Sequence, residues 1–402
     1  MLSPARASYS SFIRGAMQAR SLASCDTVYS ADAIEFHPDP ENDLFVCGTY
    51  QVQQETMGEA LRKRDGSAED DEEGGEQEDK GSSPPITRYG RCLLYHFDRK
   101  GSKLTELQRF DGPAILDMKW SPMPYRGRTT LAIADAKGHV QLHGFGEAPN
   151  RLSHLETLAC TLESTLCLSL DWSTRNARKG PADLVVSLSS GEICTLAATL
   201  DSAASPEGIG GLQVLDTWQA HDYEAWIAAF DGWEPNTVWT GGDDLKLKGW
   251  DLRQGCASPT FVNKRFEGGV TSIQSHPNLD HLFVVGSYDA QIRLFDKRKP
   301  LVPLTTYDAG GGIWRLKWHR EQVDRLLVAC MHDGFKIIEF GEGMGEGKGE
   351  CVLKTRFDGH ESLAYGVDWA RSFNRKGEEE EAGDVVASCS FYDHMLHVWE
   401  AK

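Results

Sequence analysis

Short stretches in which apolar and polar residues alternate recur along this chain, each cut off by a turn rich in Gly, Asp or Asn. Period-two alternation over runs of this length predicts half-buried β-strands rather than helices. Three stretches share one layout: VWTGGDDLKLKGWDLR (238–253), FVVGSYDAQIRLFDKR (283–298) and VVASCSFYDHMLHVWE (385–400). In each, an apolar strand ends in small residues, a turn carries an Asp, and a second strand runs to an aromatic. Asp244, Asp289 and Asp393 each lie six residues before that aromatic, which is Trp250, Phe295 or Trp399. A further alternating strand precedes each unit: AWIAAFDGW, VTSIQSHP and AYGVDWA.

Weaker copies occupy residues 116–145, 168–198 and 314–340. Another is split between residues 32–52 and 91–98. The units recur at roughly 40–45 residues and resemble WD repeats, which implies an all-β, seven-bladed WD-repeat β-propeller. In such a repeat a His, a strand Ser or Thr, the turn Asp and the Trp form a hydrogen-bonded chain. Here these are His221, Thr240, Asp244 and Trp250, and His360, Ser388 or Ser390, Asp393 and Trp399, all read as blade packing. The last unit ends at Met395–Trp399 without an outermost strand, and exposed strand edges invite aggregation. Residues 24–32, which have no unit of their own, are expected to pair there and close the ring.

Composition narrows the class. Among 402 residues the net charge is −18, which argues against a nucleic-acid footprint, and no apolar run is long enough to span a membrane as a helix. Ten Cys without a paired C-x-x-C read as buried, reduced thiols of a cytoplasmic or nuclear protein. Residues 1–22 are Arg- and Ser-rich without an acid and read as a disordered leader, or as a mitochondrial presequence. Residues 23–402 then form a single propeller. Its first blade carries an acidic insertion at about 58–85, which is expected to be a solvated, disordered loop.

No nucleophile elbow, zinc-ligating helix or phosphate loop is present, so neither metal nor cofactor is expected. Chemistry is instead sought where the units depart from one another. Four residues before the aromatic that ends each innermost strand, near one mouth of the ring, stand Asp32, Leu116, Leu168, Trp226, Thr271, Trp314 and Tyr365. Two Trp, a Tyr and an Asp around one mouth form either a cage for a cation or a hydrophobic plug. Tyr288 and Tyr392 precede or adjoin turn Asp residues and are expected on the same rim. In the sixth unit His332 replaces the turn Asp, and is either a general base or a solvated turn residue. His394, Cys330 and Cys389 read as structural.

Several stretches match more than a generic repeat: YSADAIEFHP, GGDDLKLKGWD, GSYDAQIRLFD, GGGIWRLKWH, CMHDGFKI and ASCSFYDHMLHVWE. Together they resemble the WD-repeat family of diphthamide biosynthesis, named diphthine methyltransferase. The resemblance implies a methylesterase that acts without a cofactor on methylated diphthine of translation elongation factor 2, in the cytoplasm, releasing diphthine and methanol. That substrate carries a trimethylammonium group, which favours the cage over the plug. The sequence-level mechanism is water activated by His332, the ammonium held by Trp226, Trp314, Tyr365 and Asp32, and an oxyanion met by N–H groups of residues 310–312. A monomer is expected. The competing classes are a non-enzymatic reader of a peptide or methylated side chain and an edge-binding scaffold.

Overall fold

The computed structural model describes residues 17–54, 86–146, 150–161, 164–173, 183–200, 209–371 and 383–401. The acidic stretch at 58–85 and residues 1–16 of the leader lie outside the described residues. Seven sheets are present. Their innermost strands are Ala31–Phe36, Ile115–Trp120, Cys167–Trp172, Ile227–Phe230, Val270–Ser275, Ile313–Trp318 and Ala364–Trp369. Each touches the next and the seventh touches the first, so the sheets are blades around an axis. The all-β seven-bladed propeller expected from the repeats is what forms. Blade five differs in detail, because its innermost strand ends in Ser275 rather than an aromatic.

Blades cohere because each sheet is apolar on both faces and is covered by its neighbours. One cluster joins Phe36, Phe45 and Tyr95 of blade one to Val385, Leu396 and Val398 of blade seven. Each large side chain so buried contributes roughly 1.5–3 kcal/mol. Within blade four, His221 bonds Asp244 at 2.8 Å and Thr240 at 2.9 Å, and the Trp250 indole donates to Thr240 at 2.9 Å. Blade seven uses both serines. His360 bonds Ser388 and Ser390, Ser390 donates to Asp393, and Trp399 donates to Ser388. Burial lowers the pKa of both histidines, that of His360 to about 3, so they sit neutral in these chains.

The ring closes as expected, with a shifted boundary. Strand Arg20–Asp26 pairs antiparallel with Met395–Ala401, Ser24 opposite His397 and Asp26 opposite Met395. Residues 31 and 32 are absent from it because they already begin the first innermost strand. The chain reverses between, where Val28 takes a φ of 70° and its N–H donates to Asp26. Of the residues expected within the leader, 17–18 and 20–22 are likewise in strands, and Met17–Gln18 pairs parallel with blade six. Leu22 and Ala23 pack on the blade one–seven cluster and Ala19 on its neighbour, burial that a freely solvated leader would forgo.

The axis is lined by ion pairs. Lys317 pairs with Glu35, Lys119 lies 3.3 Å from Glu35 and 2.7 Å from Asp117, and Arg315 lies 3.2 Å from Asp117. These partners also tie blades together, since Asp117 accepts from the Leu170 N–H and Asp368 from that of Phe36. The innermost strands therefore stand rigidly, with all their first residues on one face.

Candidate functional site

On that face the register places aromatic residues side by side. Trp314 stacks on Tyr365 with centroids 4.7 Å apart, and Trp226 meets Trp314 and Tyr288 at 6.0 Å, in both cases edge to face. Tyr288 lies 6.2 Å from Trp314. All four rings are half-buried. A cavity of about 10 Å³, room for roughly one water, lies at the axis. It is lined by Leu116, Leu168, Trp226, Thr271 and Trp314, five of the seven positions aligned in the sequence, with Arg315 beside them. At these separations the half-buried rings touch one another across the mouth. The mouth is thus an aromatic platform beside a cavity of one water's size, too small to admit a quaternary ammonium.

Asp32 holds the expected register but not the expected exposure. It is 3% exposed, and its Oδ1 has no hydrogen-bond partner, as is also true of the Trp314 indole nitrogen. Burial pushes its pKa up to about 7, although the Arg315 guanidinium pulls it down. Burial acts on Glu35 and Asp117 too, but two cations beside each over-compensate, and both are held below the usual carboxylate range. Asp32 has only Arg315. So deeply buried a carboxylate is scarcely presented to solvent at the mouth.

Tyr392 stands apart. It is 70% exposed and, among the described residues, meets the cluster through Phe391, which lies 5.0 Å from Tyr392 and 4.9 Å from Tyr365. His332 is exposed on the turn between Arg325–Cys330 and Gly334–Phe340, with no hydrogen bond or ring contact among the described residues. The adjoining Met331 is stitched between the two aromatic strands: its N–H donates to Gly312 and its carbonyl accepts from Ala364. A Cβ on Gly311 would lie 3.5 Å from the backbone nitrogen of His332, so the backbone of His332 flanks the glycine loop. The structural duty of the turn acid passes to Asp333, which pairs with Lys336 and, at 2.6 Å, with Arg356. In the loop, the Gly310 N–H is taken by Asp308, whereas those of Gly311 and Gly312 have no acceptor among the described residues.

Asp243 was missed at the sequence level. It is exposed, and its Oδ1 accepts the Trp226 indole N–H at 3.1 Å. Gly269 permits this convergence: a Cβ there would come 2.7 Å from Asp243 Oδ1 and 3.1 Å from the Tyr288 ring. The doubled acid in GGDD was a usable signal, because the His221 chain consumes only Asp244.

Comparison with known proteins agrees with this architecture. A family model described as "WD domain, G-beta repeat" matches residues 260–296. A chain in a solved structure of a mitotic checkpoint complex superposes on the whole of this one with a TM-score of 0.61, covering 97% of that chain; at 14% identity it speaks for the fold alone. The diphthine methyltransferase of Homo sapiens is 40% identical, over 94% of this chain and 98% of its own length. That of Mus musculus is 38% identical over 88% and 70%. A homolog in Dictyostelium discoideum is 34% identical over 92% and 96%. With such identity along nearly its whole length, the chain belongs to the diphthine methyltransferase family.

Proposed function

We propose that this protein acts in diphthamide biosynthesis as an esterase. It hydrolyses the methyl ester of methylated diphthine on translation elongation factor 2, in the cytoplasm and without a cofactor. Family membership supports the pathway. The observation that carries the substrate is the platform of Trp226, Tyr288, Trp314 and Tyr365, whose outer faces suit a trimethylammonium group.

In this reading the ammonium lies on the platform and the ester reaches towards His332. The imidazole takes a proton from water as its oxygen bonds to the ester carbon. The oxyanion that forms meets the N–H groups of Gly311 and Gly312, which have no acceptor among the described residues. On collapse the carbon–methoxy bond breaks, methoxide takes the proton back from His332, and methanol leaves. The carboxylic acid then ionises to diphthine.

One observation favours a second reading, in which the same mouth reads a methylated side chain without turning it over. His332 has no partner to orient its ring. Incubating the modified elongation factor with the purified protein and following its intact mass separates the two.

A further inference from the structure

A quaternary ammonium has no N–H to donate. It must be recognised by aromatic faces and by unscreened charge, and the charge must come from a carboxylate that no protein cation already neutralises. Six acids of the mouth and its adjoining turns can be sorted by that requirement. Asp244 is consumed by His221 at 2.8 Å and Lys246 at 3.2 Å, and Asp222 by Lys246 at 2.5 Å. Asp289 is held by Arg293 at 2.8 Å and Asp333 by Lys336 and Arg356. Asp32 is buried, only 3% exposed.

Asp243 alone among these is exposed with no Lys, Arg or His in ion-pair range among the described residues. Among the described residues its one side-chain bond is to the Trp226 indole, and its second oxygen has no partner there. We infer that Asp243 is the counter-ion for the substrate's quaternary ammonium, which lies against the Trp226 and Tyr288 rings. This rests on the proposed function for the identity of the substrate, but not for the existence of the cation site.

The geometry gives the site its selectivity. The indole bond fixes the carboxylate at the edge of Trp226, so the ring's face and the free oxygen are presented together. Tyr288, perpendicular to Trp226 at 89°, supplies a second wall, and the missing side chain of Gly269 lets that wall close on Asp243. A primary ammonium would lose hydrogen bonds to water and find one free carboxylate oxygen in return. A trimethylammonium loses none.

The test uses the full chain and tetramethylammonium chloride, followed by tryptophan fluorescence against sodium chloride at matched ionic strength. The wild type is expected to bind saturably. Asp243→Asn keeps an acceptor for the indole but removes the charge, and should weaken binding about five- to tenfold. Asp243→Glu should recover most of it. Equal binding by the wild type and Asp243→Asn, or no saturable binding by the wild type, would overturn the inference. With betaine methyl ester against its neutral isostere methyl 3,3-dimethylbutanoate, Asp243→Asn should raise KM for the charged ester only. If the wild type binds tetramethylammonium through Asp243 but cleaves no ester, the cation site stands and the esterase reading falls.

Discussion

Trp314 of blade six lies nearly parallel to Tyr365 of blade seven, 24° between planes and 4.7 Å between centroids, and is the one ring that also touches both Trp226 and Tyr288. It is the keystone of the platform. Trp314→Ala should therefore impair binding more than turnover. Losing about 1–2 kcal/mol of cation–π contact predicts a roughly five- to thirtyfold rise in KM for the modified elongation factor. An unchanged KM would show that the cation sits elsewhere.

His332 is exposed and bonds nothing among the described residues, so its removal should leave the fold alone. His332→Ala is expected to unfold at the same urea concentration as the wild type, yet to lose about a hundredfold or more in turnover, the usual worth of a general base. Near-normal turnover would remove the imidazole from the mechanism.

Asp32 links the site to pH. In the folded chain its pKa stands at about 7 against an ordinary 3.8, so between those values the folded state holds a proton that the unfolded state releases. Stability from this group is therefore greatest at low pH, declines as pH rises from about 4 to 7, and stays at its minimum above. Asp32→Asn should flatten that decline, and at pH 8 should raise the unfolding free energy by about 1–4 kcal/mol. Chemical denaturation at several pH values measures it, and parallel pH profiles for the two proteins would contradict the assignment.

The strand Arg20–Asp26 protects the edge of Met395–Ala401. A chain beginning at residue 27 should lose roughly 3–5 kcal/mol, from the lost ladder and from the contacts of Leu22, and should aggregate through the bared edge. Light scattering and urea titration are the readouts. A monomeric, equally stable truncation would mean that the closure is dispensable.

Much of this was legible in the sequence because a propeller repeats itself. Alternation gave the strands, the spacing from Asp to aromatic gave the blade register, and that register brought Trp226, Trp314 and Tyr365 to one face. What alignment could not supply was depth. Asp32 occupies the same register as Trp314, but a short side chain among large rings ends beneath them, while Asp243 rises to the rim from a turn position the repeat leaves variable. Nor does register tell a packed cluster from an open cage. That depends on ring orientations set by neighbours such as Phe391 and by the room Gly269 leaves. The closing strand was seen, but its start was drawn too late, because Ser- and Arg-rich residues read as leader until the apolar contacts of Leu22 and Ala23 are known.

The most direct test is the intact mass of elongation factor 2 carrying methylated diphthine, before and after incubation with the purified protein and no added cofactor. The account predicts a mass loss equal to one methyl replaced by hydrogen, with methanol released. An unchanged mass, with the two proteins forming a stable complex, would contradict it and make the aromatic mouth a reader rather than an active site.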